Sequence, residues 1–286
     1  MPPFQIMGVV NVTPDSFSDG GTFDDDADAV RHARRLVEEG AAIVDVGGES
    51  TRPGAAPVPA QEELRRVVPV VEGIAALGLD ARISVDTMKL EVARAAVDAG
   101  ATYVNDVTAF RHEPDLAGLV ADRGLDCCLM HMLGEPRTMQ QDPRYDDVVS
   151  DVKAFLEERL AAAVAAGVAE ERVQLDPGIG FGKTLEHNLA LLRALDQFAA
   201  LGVPLLAGLS RKAMIGRLTG REDPALRAAG SAAAALIAVQ KGAAIVRVHD
   251  VAQTRDALAV WQGVNAGAVP AKKTQKAFGS QRFEDE

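Results

Sequence analysis

The sequence predicts a single (β/α)8 barrel of the TIM type, and three observations lead to this fold class. About eight short apolar runs alternate with helical patterns, and successive runs lie roughly 20 to 46 residues apart, as in repeated βα units. The chain has 286 residues, 48% of them hydrophobic, which is enough for one barrel core. Polar residues follow the apolar runs, and barrel active sites lie at the carboxyl ends of the strands. A doubly wound open sheet is the alternative.

Four predicted strands and three helices make up the first part of the chain. The strands cover residues 6–10, 41–46, 83–85 and 103–104, and the helices cover residues 27–39, 59–77 and 89–99. Each helix stops at a glycine, namely Gly40, Gly78 and Gly100. The polar stretches VTPDSFSDGGTFDDD and GGESTRPGAAPVP have no helical period, so both are predicted to be long loops, which are often functional.

Four further strands and five helices complete the predicted barrel. The strands cover residues 127–130, 173–175, 203–206 and 245–248, and the helices cover residues 147–166, 185–201, 213–218, 227–239 and 251–261. We assign residues 1–265 to one catalytic barrel and expect residues 266–286 to form a flexible polar tail.

The stretch VQLDPGIGFGKT, residues 173–184, is the one around which the site is predicted to form. Its strand ends at Asp176, and a glycine-rich turn follows. A Walker loop would need glycine at Pro177, and a dinucleotide-binding GxGxxG would need glycine at Lys183. The stretch therefore predicts a strand that delivers a carboxylate, followed by a tight turn where backbone or ligand comes close.

Composition narrows the possible partners. The net charge of −11 and the pI near 5.0 argue against nucleic acid or an anionic membrane as a main partner. The amino-terminal sequence does not resemble a secretory signal, and no run approaches the ~18 apolar residues of a membrane helix. Cys127 and Cys128 are adjacent and should point to opposite faces of a strand, so we expect both to be reduced. A soluble cytoplasmic enzyme fits these features.

Eight polar residues lie at or near the predicted strand ends, namely Asn11, Asp45, Asp86, Asn105, His131, Asp176, Ser210 and His249. The five histidines show no zinc-ligand spacing, and no CxxC or GxSxG motif occurs. Two of the set have simpler interpretations: Asp45 would support its loop, and His131 would be structural. Lys183, which lies outside the set, would be a solvated residue at a helix start.

The remaining side chains fall into two chemical groups. Carboxylate and amide acceptors suit a heterocycle rich in N–H donors, and they are Asp86, Asn105 and Asp176. Cationic groups suit phosphate oxygens, and they are Arg52, Lys212, Arg247 and His249. The triplet Ser210-Arg211-Lys212 is predicted at a helix amino terminus, where N–H groups attract anions.

The motifs resemble those of the dihydropteroate synthase family of bacterial folate biosynthesis. The segments that carry the resemblance are, in order, IMGVVNVTPDSFSDGG, IVDVGGESTRPG, ISVDT, VNDV, LMHM, LDPGIGFGK, GLSRK and RVHDV. They run from about Ile6 to about Trp261. The resemblance implies a pterin-binding, Mg2+-assisted transferase that condenses 6-hydroxymethyl-7,8-dihydropterin diphosphate with p-aminobenzoate, is a sulfonamide target and forms a homodimer.

The resemblance also implies a role for each matching residue. The pterin would contact Asp86, Asn105, Met130, Asp176, Lys212 and Arg247. The p-aminobenzoate would contact Thr51, Arg52, Pro53, Phe181, Lys212 and Ala213. The diphosphate would contact Asn11, Thr51, Arg247 and His249, with Mg2+ bound to the Asn11 side chain. The catalytic residues would be Asp86, Lys212, Arg247, His249 and Asn11.

In the implied mechanism, the bond between the pterin methylene carbon and the diphosphate breaks first. This leaves a pterin-methylene cation for the arylamine to attack. One departure from the family concerns Ala213, because several members carry a serine there whose hydroxyl helps to hold the p-aminobenzoate carboxylate. Two other functions stay open: a pterin-dependent methyltransferase of the same barrel, and a paralogue that binds pterin without catalysis.

Overall fold

The computed structural model describes residues 4–13 and 24–266, and it is a closed eight-stranded parallel barrel. The strands follow each other around the barrel in chain order, and β1 pairs with β8 to close it. The predicted fold class is confirmed, and the open sheet is excluded. The loop predicted after Asn11 lies largely outside the described residues, as does nearly all of the predicted tail.

The strands are β1 (Gln5–Asn11), β2 (Ile43–Gly47), β3 (Arg82–Asp86), β4 (Tyr103–Asp106), β5 (Asp126–Met130), β6 (Val173–Asp176), β7 (Leu205–Gly208) and β8 (Ala243–Val248). The helices are α1 (Asp24–Glu39), α2 (Ala60–Ala76), α3 (Leu90–Asp98), α4 (Leu116–Arg123), α5 (Val148–Ala165), α6 (Leu185–Arg193), α7 (Leu195–Ala199), α8 (Ala213–Thr219), α9 (Ala228–Gln240) and α10 (Val251–Ala266). Short 3-10 turns cover Glu170–Arg172 and Pro224–Arg227.

The helix pattern differs from the prediction in two places. Helix α4 between β4 and β5 was not predicted, although it buries Leu116, Leu119 and Val120 on one face. The single helix expected over residues 185–201 is two helices, because the backbone leaves the helical conformation at Ala194 (φ −99°, ψ 15°).

Apolar side chains pack on both faces of the barrel strands. Outward-pointing strand residues pack against the helices in the large cluster, and inward-pointing residues fill the barrel interior. Cys127 belongs to the outer cluster and Cys128 to the interior cluster. The prediction that the two cysteines are unpaired and point to opposite faces is therefore confirmed. Within the described residues, none of the helices combines the length and the apolar character needed to span a bilayer.

Candidate active site

A cavity of about 690 Å3 opens at the carboxyl ends of the barrel strands. Ten of the thirteen predicted site residues line it, namely Asn11, Thr51, Arg52, Pro53, Asp86, Phe181, Lys212, Ala213, Arg247 and His249. The other three are buried and do not line the open cavity, namely Asn105, Met130 and Asp176. Residues that are far apart in the sequence thus meet at one end of the barrel, as predicted.

Side-chain alternation explains why these residues face inward. The barrel interior is filled by Met7, Ile43, Tyr103, Cys128, Leu206 and Ile245. Side chains two positions further along a strand point to the same face. Those positions hold Val9, Asp45, Asn105, Met130, Gly208 and Arg247. The interior core therefore sets the orientation of the site residues above it.

Arg247 connects two carboxylates at the centre of the site. Its Nε donates to Asp45 Oδ2 at 2.5 Å, and its Nη2 donates to Asp86 Oδ2 at 2.7 Å. Asp45 also accepts hydrogen bonds from Ser84 Oγ at 2.5 Å and from Asn105 Nδ2 at 3.1 Å. The expectation that Asp45 supports its loop is wrong, because this side chain is fully buried inside the barrel and orients Arg247 and Asn105.

Asp86 and Arg247 shift each other's pKa, and the Asp45 carboxylate contributes to both shifts. Burial raises the pKa of Asp86 to about 7, although Arg247 acts to lower it. Burial lowers the pKa of Arg247, but Asp45 and Asp86 outweigh burial, so its pKa is shifted upward. Asp86 can therefore change protonation state near neutral pH, and its charge depends on the position of Arg247.

Asp176 and Lys212 lie close enough for each to shift the pKa of the other. Burial raises the pKa of Asp176 and Lys212 lowers it in part, whereas burial lowers the pKa of Lys212 to about 8 against the effect of Asp176. The Lys212 Nζ donates to the Ile179 carbonyl oxygen and lies 4.6 Å from the centre of the Phe181 ring. Lys212 is thus placed between the predicted pterin and p-aminobenzoate contacts.

The glycine-rich turn after β6 is as tight as predicted. Asp176 Oδ1 accepts the Gly178 N–H at 2.7 Å. Gly178 has φ +66°, and a Cβ atom there would lie 1.8 Å from the His131 carbonyl oxygen, so only glycine fits. The turn is further held by Asn188, whose Oδ1 accepts the Gly180 N–H at 2.7 Å. The close backbone contact expected at this turn is between Gly178 and His131, which directly follows β5.

His249 lines the cavity as a neutral imidazole. Burial, and after it Arg247, lower the pKa of His249 to about 3, so the expectation that it supplies positive charge is wrong. Its own backbone N–H donates to Ser210 Oγ at 3.1 Å, and the same hydroxyl lies 3.1 Å from Nδ1. The hydroxyl proton is therefore free to be donated to Nδ1. This arrangement leaves the ring proton on Nε2, as a donor for a phosphate oxygen.

The segment before α8 is held by an ion pair that sequence reasoning missed. Arg211 has a left-handed φ of +59°, which is strained for a residue other than glycine. Its side-chain Nε and Nη2 donate to the two carboxylate oxygens of Asp250 at 3.0 and 2.5 Å. Its backbone N–H donates to Ser231 Oγ at 2.9 Å. Lys212 follows as the N-cap of α8, as predicted. Asp250, which follows β8, thus fixes the position of Lys212 through Arg211.

Lys183 is buried, so its predicted exposure at a helix start is wrong. Only 2% of the residue is exposed, and burial holds its pKa well below the usual lysine value. Its Nζ lies 2.9 Å from His131 Nδ1 and donates to the Phe181 carbonyl oxygen at 2.9 Å. His131 packs edge-on against the Phe155 ring at 4.8 Å, which supports its interpretation as a structural histidine.

The oxygen ligands available for a metal are few. Within the described residues, no group of three or more His, Cys, Asp or Glu could hold a metal ion. Asn11 presents an amide at the cavity, whereas Asp45 and Asp86 already bind Arg247. Mg2+ is commonly held by one or two protein oxygens together with substrate phosphates and water. The donor set thus fits an ion that arrives with a phosphate ligand.

Comparisons with known proteins agree with this site. A family model described as "Pterin binding enzyme" matches residues 7–249. The dihydropteroate synthase of Escherichia coli (strain K12) is 51% identical over 255 residues, which cover 89% of each chain.

Two solved structures of Xanthomonas albilineans dihydropteroate synthase are also similar, each covering 92% of this chain and 94% of that one. One contains 4-aminobenzoic acid, with 55% identity and a TM-score of 0.87. The other is in complex with 7,8-dihydropteroate, with 53% identity and a TM-score of 0.84. The chain belongs to the pterin-binding enzymes and, within them, to the dihydropteroate synthase family.

Proposed function

We propose that this protein condenses 6-hydroxymethyl-7,8-dihydropterin diphosphate with p-aminobenzoate and releases 7,8-dihydropteroate and diphosphate. The observation that carries the proposal is that acceptors and cations meet at one cavity. Asp86 lines it beside Arg247 and Lys212, and the arylamine-side residues Thr51 and Phe181 line the same space. The relatives that bind 4-aminobenzoic acid and 7,8-dihydropteroate support both ends of the reaction.

The pterin ring would lie between the Arg247–Asp86 ion pair and the neighbouring side chains of Asp176 and Lys212. Asp176 and Asn105 present oxygen acceptors for ring N–H groups, and Lys212 donates to a ring acceptor. Met130 packs in a cluster with Met132, Met139 and Val107, against which the partly buried Phe181 lies, so it would supply an apolar contact. Asp45 would act by fixing the orientation of the Asn105 amide. Asn105 Nδ2 donates to Asp45, so Asn105 Oδ1 is left to accept a hydrogen bond from the pterin ring.

The carbon–oxygen bond to the diphosphate would break first, with the electron pair leaving on the diphosphate oxygen. Arg247 and the Nε2–H of His249 would hold this anion, and Asn11 and Thr51 would contact it. Asp86, once ionised, would stabilise the positive charge that develops on the pterin methylene group. The p-aminobenzoate nitrogen would then form the new carbon–nitrogen bond with its lone pair, and the proton it loses would pass to the departing diphosphate or to solvent.

We assign Mg2+ as the cofactor, which Asn11 would hold together with the bound diphosphate. When bound, it supplies further positive charge for the leaving group. Thr51, Arg52, Pro53, Phe181, Lys212 and Ala213 would border the p-aminobenzoate. Because Arg52 and Pro53 are exposed in the loop after β2, closure of this loop would exclude water from the cation.

Three broader assignments belong to the proposal. We assign residues 1–265 to the catalytic barrel. A homodimer is supported by exposed apolar side chains on the adjacent helices α9 and α10, namely Ile237, Val260 and Val264. Action in the cytoplasm is supported by two free, buried cysteines.

One assay tests the proposed reaction. Purified protein should form dihydropteroate and diphosphate only when pterin diphosphate, p-aminobenzoate and Mg2+ are all present. Methyl transfer from a methylated folate without condensation would favour the methyltransferase alternative, and pterin binding without either reaction would favour the non-catalytic one.

A further inference from the structure

We propose that Lys89 is a positioning residue for the arylamine subsite, because its ammonium fixes the stem of the loop that carries Thr51 and Arg52. This inference rests on the proposed function of the site. Lys89 itself does not line the cavity, so it would act through Glu49, which does.

Lys89 binds two carboxylates from different parts of the barrel. Its Nζ donates to Glu49 Oε2 in the loop after β2 and to Glu63 Oε2 on α2. The side chains of Lys89 and Glu49 are each 11% exposed, and that of Glu63 is 1% exposed. An ion pair this well shielded from water holds its geometry far better than an exposed one.

The other end of Lys89 is anchored beside the predicted pterin contact. Lys89 follows Asp86 by three residues and is the N-cap of α3, and its N–H donates to Thr87 Oγ1 at 3.2 Å. Glu49 precedes Thr51 by two residues. The ion pair therefore connects the strand end that carries Asp86 to the loop that borders the p-aminobenzoate.

The loop stem has few other attachments. Gly48 lies so close to α2 that a Cβ atom there would be 2.8 Å from Val67 Cγ2, and Arg66 Nη1 donates to the Gly48 carbonyl oxygen at 2.9 Å. From Ser50 to Pro59 the chain has no helix or strand. Without Lys89, Glu49 would lose its only cation among the described residues, and the loop after it would depend more on the Gly54 N–H, which donates to the Pro136 carbonyl oxygen at 3.1 Å.

Two single substitutions and their combination test the inference. Lys89→Met and Glu49→Ala should each raise the KM for p-aminobenzoate by about tenfold or more and leave the calorimetric Kd for pterin diphosphate within about twofold. The double variant should be no worse than the single ones, because both remove the same contact. Lys89→Arg keeps a cation between the carboxylates and should recover most of the p-aminobenzoate affinity.

A matched ion pair at the other end of the barrel provides the control. Asp126 at the start of β5 binds Arg82 and Arg172, far from the cavity lining. Asp126→Asn should lower thermal stability without changing the KM for p-aminobenzoate. If Lys89→Met does not fold, Glu49→Ala still tests the inference, because it leaves the buried Lys89–Glu63 pair intact.

Three results would overturn the positioning role. They are an unchanged p-aminobenzoate KM in folded variants, an equal change in Asp126→Asn, or additive effects in the double variant. Each of these results counts only if the unsubstituted protein catalyses the condensation. If the unsubstituted protein does not catalyse it, the proposed function is wrong instead.

Discussion

Arg247 donates to Asp86 at 2.7 Å, so the cation expected to bind the diphosphate is already bound to the carboxylate expected to face the pterin. A diphosphate would compete with Asp86 for this guanidinium. If Arg247 turns toward the diphosphate, Asp86 loses its counter-charge, and the cation developing on the pterin can replace it. The arrangement would couple departure of the anion to stabilisation of the cation.

Arg247→Ala should slow the release of diphosphate from pterin diphosphate and Mg2+ alone by about 3 kcal/mol of barrier, the usual effect of losing one aligned donor. It should also cost about 3 to 5 kcal/mol of folding free energy, because Asp45 is left buried without a cation. Diphosphate-release kinetics and thermal melting measure the two effects.

Arg82→Ala is the control for stability, because it removes an ion pair at the opposite end of the barrel. It should melt earlier than the unsubstituted protein and release diphosphate at the same rate. If the unsubstituted protein releases diphosphate only after p-aminobenzoate is added, the displacement is concerted and the cation mechanism is wrong.

Asp176→Asn should weaken pterin binding by about 2 kcal/mol or more. The substitution keeps one acceptor oxygen but places an amide donor against a ring N–H, and an unsatisfied buried donor costs about this much. The Gly178 N–H can still be accepted by the remaining oxygen, so the turn after β6 should persist. Calorimetry with pterin diphosphate on the folded variant checks this, and an unchanged Kd would remove Asp176 from the pterin contacts.

Pterin diphosphate affinity should fall as the pH rises from about 7 to about 9. Burial lowers the pKa of Lys212 to about 8, so the ammonium is charged below this pH and loses its proton above it. A hydrogen bond from a charged donor is worth about 1.5 to 3 kcal/mol, and about a tenth of the ammonium stays charged at pH 9, so the affinity should fall by up to about tenfold. Lys212→Arg stays charged and should flatten the profile. The same decline in both proteins would place the titration elsewhere.

Ala213→Ser should lower the KM for p-aminobenzoate by up to about tenfold, since a neutral hydroxyl donor contributes about 1 kcal/mol. Ala213 lines the cavity directly after Lys212 and offers no side-chain donor. Sulfonamide inhibition should tighten in parallel, because the sulfonyl oxygens would take the place of the carboxylate. A change in pterin affinity, or no change for either ligand, would place the carboxylate elsewhere.

The sequence was sufficient to predict which strand ends carry the site, because apolar runs and the polar residues after them are local patterns. Asp86, Asn105 and Asp176 lie at such ends in the structure, as predicted. The motif resemblance added the roles that no local pattern could indicate. The resemblance did not predict the ion pair of Arg247 with Asp45, because the two residues come from strands far apart in the chain.

The errors at Lys183 and His249 share a physical cause: burial depends on what packs above a residue. Lys183 lies two residues before α6, a position that is usually solvated, yet the loops after β5 and β6 enclose it. His249 was expected to carry charge, but burial beside Arg247 keeps it neutral. Helix α4 was missed because its eight residues give only about two turns of pattern.

The burial of both native cysteines makes this protein convenient for site-specific labelling. Cys127 and Cys128 are fully enclosed, and burial raises the pKa of both thiols, so little reactive thiolate is accessible to maleimides. The chain has two cysteines in total. An Ala56→Cys substitution in the exposed loop after β2 would therefore create a single addressable thiol without any change to the barrel core. A fluorophore attached there could follow movements of this loop during turnover.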